Sequence, residues 1–189
     1  MILIIDNQGQ YVHRIWRTLK YLGVESEIIP NKSLISEIKN KKPDGIILSG
    51  GPYSVYSNGD KVGNCYKILE LDIPVLGICL GHQIIANHFN GKVQKGKSGE
   101  FAEVEIIVKD EDDIFKNLGN KLTVWESHND EVVEISSDLK CLASSSTCEY
   151  EAIKHKTKNI YGVQFHPEVH HTVNGPEIFK NFLSVCETF

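Results

Sequence analysis

Three short runs in this chain carry residue types that could do nucleophilic catalysis. Gly77-Ile78-Cys79-Leu80-Gly81 sets a cysteine between two glycines, each two residues away. This is the Gly-x-nucleophile-x-Gly spacing of a strand-to-helix elbow, with Cys in place of Ser. A residue on so tight a turn takes unusual φ/ψ, and side chains beside it would collide with their surroundings. The turn also sets the sulfur at a helix N-terminus, where the dipole and unpaired N–H groups favour thiolate. His166-Pro167-Glu168 offers a base and a carboxylate that could fix the tautomer of that base. Ser49-Gly50-Gly51-Pro52 offers backbone N–H groups that a ligand can approach closely. The N–H of Gly51 and that of Leu80, the amide after the cysteine, would make a two-donor oxyanion hole.

Such residues need a scaffold that brings several strand ends to one edge. Residues 1–6 (MILIID) read as a buried strand. Val12, Ile15, Trp16, Leu19 and Leu22 then recur at helical spacing, and Gly23 is a natural stop. Residues 26–29 read as a second strand ended by Pro30, and Leu34, Ile35 and Ile38 mark a short helix. Residues 45–48 form a third strand running into Ser49, and residues 62–71 suggest another helix. Residues 74–78 form a fourth strand, and a helix follows the elbow over 82–89. Strands alternating with helices predict a parallel sheet covered on both faces. Ligands gather at the C-terminal ends of the strands in such sheets. The second half carries short extended runs at 104–108, 122–125, 132–135, 141–143, 151–154 and 161–165, read as added or antiparallel strands of the same domain. A last helix is expected over about 176–186. No linker, repeat or low-complexity segment stands out, so one domain over 1–189 is expected.

Composition narrows the classes. A chain of 189 residues that is 41% hydrophobic and 24% charged can build one ordinary globular core. A net charge of -5 without any basic run argues against nucleic acid as a partner. The longest apolar runs, such as residues 2–5, are too short to span a bilayer. Polar residues follow MILIID too soon for a secretory h-region. A cytoplasmic protein with no membrane partner is therefore expected. The five cysteines, Cys65, Cys79, Cys141, Cys148 and Cys186, are odd in number and form no CxxC pair. Neither a disulfide framework nor a structural zinc site is expected from them.

The Gly-Gly-Pro strand end, the Cys elbow and the His-Pro-Glu strand end, in that chain order, resemble the class I, triad-type glutamine amidotransferases. Gly77-Ile-Cys-Leu-Gly-His-Gln83 resembles that family's nucleophile motif, and Gly162-Val-Gln-Phe-His-Pro-Glu168 its His/Glu motif. The resemblance covers essentially the whole chain. It implies the flavodoxin-like glutaminase fold, an open, mostly parallel twisted sheet with helices on both faces and added short antiparallel strands. It implies catalysis by Cys79, His166 and Glu168 and an oxyanion hole at Gly51 and Leu80. It also implies that Gln83, Ser127, His128, Asn129 and Asp130 hold the α-amino and α-carboxylate groups of glutamine. Within the family, the segments at 6–17 and 124–132 resemble the separate glutaminase subunit of archaeal GMP synthetases. Gln8 departs from the second glycine often found there, outside the triad. No Gly-rich phosphate loop with Lys and no Ser-Gly-Gly-x-Asp-Ser run appears. The resemblance thus implies that ammonia passes to a separate ATP-pyrophosphatase subunit converting XMP to GMP. ATP and Mg would be used there, with no cofactor and no metal on this chain.

Other readings stay open on residues alone. Cys79 by itself could be a buried packing residue. His166 and His170, four apart, could face one way on a helix opened by Pro167, with Glu168 as a third metal ligand. Residues 125–130 could be an ordinary strand end, His82 and His88 could be helix-face residues, and Asp6 could simply cap the next helix. Rival functions keep the site and change the acceptor, as in anthranilate or aminodeoxychorismate synthase glutaminases or a γ-glutamyl hydrolase. A redox-sensing cysteine elbow or a protein with a dead site is a further rival.

Overall fold

The computed structural model describes residues 1–111 and 113–187, with the side chains of all but 97–100. The first strand, β1 (Ile2–Asp6), sets the plan. Ile2 and Ile4 pack into one apolar cluster and Leu3 and Ile5 into another, because successive side chains point to opposite faces. Helices cover both faces. The first cluster takes in Val12, Ile15 and Leu19 of α1 (Val12–Tyr21) and Ile178, Phe179 and Phe182 of α5 (Gly175–Glu187). The second takes in Ile38 of α2 (Ile35–Lys41), Ile68 of α3 (Cys65–Ile68) and Ile84 and Ile85 of α4 (Leu80–His88).

Among the described residues the strands form one nine-stranded sheet. Its parallel half holds β1, β2 (Ser26–Pro30), β3 (Gly45–Leu48), β4 (Val75–Ile78) and β9 (Ile160–Val163). The strand order is β2-β1-β3-β4-β9, followed by β8 (Ala152–His155), β7 (Leu139–Ser144), β5 (Lys92–Val108) and β6 (Lys121–Glu134). β8, β7, β5 and β6 join through antiparallel ladders. The C-terminal ends of β1, β3, β4 and β9 therefore lie along one edge, with Asn7, Ser49 and Cys79 directly after the first three.

Four elements differ from the sequence expectation. The helix expected over 62–71 is a single 3-10 turn at Gly59–Val62 followed by the one-turn α3, since Gly63 takes φ 58° between them. The runs at 122–125 and 132–135 are one strand, β6. Its polar middle keeps the alternation, with Leu122, Val124, Glu126 and His128 all buried. β5 reaches back to Lys92, so the antiparallel part is longer than short strands. α4 starts at Leu80, directly after the cysteine. Among the described residues no helix is long and apolar enough to cross a membrane.

Candidate active site

Cys79 sits where β4 becomes α4, at φ 51° and ψ -103°. That conformation is costly for a residue with a Cβ and persists only when the surroundings enforce it. The surroundings do so on both sides. The Cys79 N–H donates to the Val163 carbonyl at 2.8 Å, and its carbonyl accepts from the Gln83 N–H at 3.1 Å. The flanking glycines allow the close packing: a Cβ on Gly77 would lie 2.5 Å from the Gly81 backbone, and one on Gly81 only 2.3 Å from the Leu48 carbonyl oxygen. The elbow thus exists because strand, helix and neighbouring strand meet without side chains between them.

The other two motifs arrive at the same place. Gly50 lies between the expected partners, since a Cβ there would come 3.1 Å from His166 Cε1 and 3.5 Å from Cys79 Cβ. His166 Nδ1 is 2.8 Å from Glu168 Oε1, and both side chains are buried. Burial alone would push the imidazole down. The Glu168 carboxylate and the interaction with Cys79 together outweigh it and hold His166 well above the usual histidine range. Tyr11 stands edge-on to the His166 ring at 4.9 Å. A cleft of about 680 Å³ opens over these groups, lined by Gly50, Gly51, Cys79, Gln83, Ser127, His128, Asn129, Asp130, His166 and Glu168 among others. Leu80 is buried beside it as the first residue of α4, and the first N–H groups of a helix have no partner within the helix.

The wall opposite the elbow comes from β6. The Ser127 carbonyl oxygen is 3.9 Å from Cys79 Sγ. Gln83 Nε2 donates to the Asp130 carbonyl at 2.8 Å and lies 3.2 Å from Gln164 Oε1. His128 faces inward: its Nδ1 is 2.9 Å from the Asp130 carbonyl oxygen and its Nε2 is 3.0 Å from Glu126 Oε2. Tyr56 reaches over the cleft to donate to Asp130 Oδ1 at 2.8 Å.

The structure brings Gly51, Cys79, Gln83, Ser127, His128, Asn129, Asp130, His166 and Glu168 to one cleft, with Leu80 directly after the cysteine. It sets aside some of the other readings. Residues 167–174 form turns and bends, so Pro167 opens no helix and His170 is carried to the surface. Among the described residues no group of three or more His, Cys, Asp or Glu is placed to hold a metal ion. His82 is a core residue rather than a helix-face residue; burial pushes its imidazole down to about 3, and its ring packs on Gly162. Burial also pushes the Cys65 and Cys186 thiols up to about 12 and raises Cys141 and Cys148, which leaves them poor nucleophiles.

Sequence reasoning missed the supports. The Asn7 N–H donates to Ser49 Oγ at 2.9 Å, Asn7 Nδ2 donates to the Ser49 carbonyl at 3.0 Å, and Asn31 Nδ2 donates to Asn7 Oδ1 at 3.0 Å. This buried lattice ties the Gly50-Gly51 loop to β1. A signal existed: both Asn7 and Ser49 stand directly after a buried strand. Thr172 was also missed. Its hydroxyl donates to the His166 carbonyl at 2.7 Å and accepts from the Trp125 N–H at 2.9 Å.

A thiol on an elbow, a buried His–Glu pair facing it and a cleft above them define an enzyme of the thiol-nucleophile, triad type. The glutamine amidotransferase class-I family model matches residues 3–186, and the chain belongs to that family. Within it, the chain is 57% identical to a glutamine-hydrolyzing GMP synthase subunit of Thermococcus kodakarensis, over 98% of both chains. It is 49% identical to the Methanothermobacter thermautotrophicus protein of the same name, over 100% of this chain and 99% of the other. A crystal structure from Thermoplasma acidophilum, of a chain provisionally described as the same GMP synthase subunit, superposes with a TM-score of 0.91 at 43% identity, covering 99% of this chain and 94% of that one. A glutamine amidotransferase from Thermotoga maritima, 19% identical with a TM-score of 0.75 over 99% of this chain and 82% of the other, shares the fold.

Proposed function

We propose that this chain is the glutamine-hydrolysing subunit of a GMP synthase. The observation that carries the chemistry is Cys79 at φ 51° facing a buried His166 that is 2.8 Å from Glu168. Full-length identity of 49–57% to proteins named as one subunit of glutamine-hydrolyzing GMP synthase supports the assignment to that enzyme, and its division into subunits.

Glutamine's side-chain amide sits against Cys79. His166 holds the proton of the thiol and leaves sulfur the nucleophile; Glu168 keeps the ring oriented and stabilises its charged form. Sulfur attacks the amide carbon, and the N–H groups of Gly51 and Leu80 receive the developing oxyanion. Each such donor is worth about 2.7–4 kcal/mol of barrier. His166 passes its proton to the leaving ammonia. Water then attacks the thioester through a second oxyanion and frees glutamate. Gln83 and residues 127–130 hold the α-amino and α-carboxylate groups at the wall of the cleft. Ammonia goes to a separate ATP-pyrophosphatase subunit, which uses ATP and Mg to adenylate XMP and accepts the nitrogen. A solution protein working in the cytoplasm suits this role.

The test is Cys79→Ala in the two-subunit enzyme. GMP formation from glutamine should fall to background while formation from added ammonium persists. Retained glutamine-dependent synthesis would remove Cys79 from the role of nucleophile.

A further inference from the structure

The wall of the cleft hangs on two buried acids that the triad does not use. Glu126 and Glu151 are both fully shielded from solvent. Two neighbouring carboxylates cannot both stay ionised in such a place. Burial pushes the Glu151 carboxyl well above its usual range, and the charge and hydrogen bonding of Glu126 push it the same way, against Ser145 and His128. Glu126 in turn faces His128 Nε2 at 3.0 Å. His128 Nδ1 faces the Asp130 carbonyl, which only accepts, so Nδ1 carries a hydrogen. Two contacts then remain, Glu151 to Glu126 and Glu126 to His128, and each needs one proton between its partners. The chain of contacts ends at the Asp130 carbonyl, which also accepts from Gln83, and Asp130 lines the cleft.

Other titratable groups lie close by. His82 of α4 acts on His128, while Cys148 feels Glu151, Glu126 and Glu131. At the other end of the segment, the Trp125 carbonyl accepts from the His166 N–H at 3.0 Å. The strand bearing Glu126 is therefore fixed to the triad at one end and to the cleft wall at the other.

We propose that Glu126 and Glu151 are positioning residues for glutamine. They share a proton and act through His128 to hold the 127–130 wall at its distance from Cys79. This rests on the glutaminase reading above. The pair touches no reacting atom, so its loss should be felt in KM rather than in kcat.

The decisive experiment measures glutamate release by the full chain with its synthetase partner, for wild type, Glu151→Gln and Glu126→Leu, from mildly acid to alkaline pH. Glutamine in place of Glu151 keeps a neutral donor that cannot give up a proton. The ratio of wild-type to Glu151→Gln KM should be near one at the acid end and climb as pH rises, since the titration of glutamine's own amino group cancels. Glu126→Leu should raise KM about tenfold, with kcat changed far less. A ratio constant across pH, or a wild-type KM in Glu126→Leu, would overturn the proposal. If Glu126→Leu does not fold, the Glu151→Gln ratio decides alone. A wild-type complex that releases no glutamate is a distinct result, and it sinks the glutaminase reading and this inference together.

Discussion

At the scale of the residue, Cys79 differs from the four other cysteines in backbone as well as surroundings. It alone among them takes a positive φ, and it faces His166 across Gly50. The His166–Glu168 pair sets the charge that faces that thiol. Glu168 is the strongest influence raising His166, against the burial that would lower it. Replacing it by Gln removes the charge and leaves burial to act, so the imidazole must titrate at lower pH. The limb of the kcat/KM profile that reports His166 should therefore move acidward in Glu168→Gln, with loss of about 10²–10⁴ in rate. An unmoved limb would mean that Glu168 does not tune the histidine.

At the scale of the element, the elbow depends on β4, α4 and β3 meeting backbone to backbone. Gly81→Ala forces a methyl against the Leu48 carbonyl oxygen, where it would stand 2.3 Å away. Unfolding free energy from denaturant titration should drop by about 2–3 kcal/mol, with activity lost alongside. A variant as stable and active as wild type would show that the elbow can relax. Much of this element plan was legible in the sequence. β1, β3 and β4 are buried on both faces and read as unbroken apolar runs, while Val12, Ile15 and Leu19 mark α1 by their spacing. That Cys79, His166 and Glu168 meet was legible because the cysteine and the His-Pro-Glu run each come just after a strand, with glycine or proline within two residues. β6 was not, because its core face switches from Leu122 and Val124 to Glu126 and His128. Polar residues read as a strand end with a turn there, and only Glu151, distant in the chain, together with the Asp130 carbonyl two residues past His128, makes them fit a strand interior. The same limit hid the role of Asn7, whose partners Ser49 and Asn31 come from two later segments.

At the scale of the whole molecule, the buried titratable groups shape stability. His82 stays neutral in the native state down to about 3, and His88 and His155 are lowered too, so the unfolded chain binds more protons in acid. These histidines should make stability rise with pH up to the ordinary histidine range. Two groups act with the opposite sign, Glu151 from the ordinary carboxylate range upward and His166 from the ordinary histidine range upward. Glu151 and His166 keep protons in the folded state that the unfolded chain has already released, so stability falls as pH climbs through their raised values. Each such proton tilts the curve by about 1.4 kcal/mol per pH unit. Glu151→Gln should flatten the decline of denaturant midpoints with rising pH; an unchanged slope would place that proton elsewhere.

The proposed function makes one cysteine of five, Cys79, the nucleophile toward glutamine. The direct measurement is intact and peptide mass spectrometry after treatment with a glutamine-shaped electrophile, a diazoketone analogue of the side-chain amide. One adduct per chain on Cys79 is the expected result, blocked by excess glutamine and absent from His166→Ala. Labelling spread over Cys65, Cys141, Cys148 or Cys186, or a Cys79 left unmodified while glutamine hydrolysis stops, would contradict it.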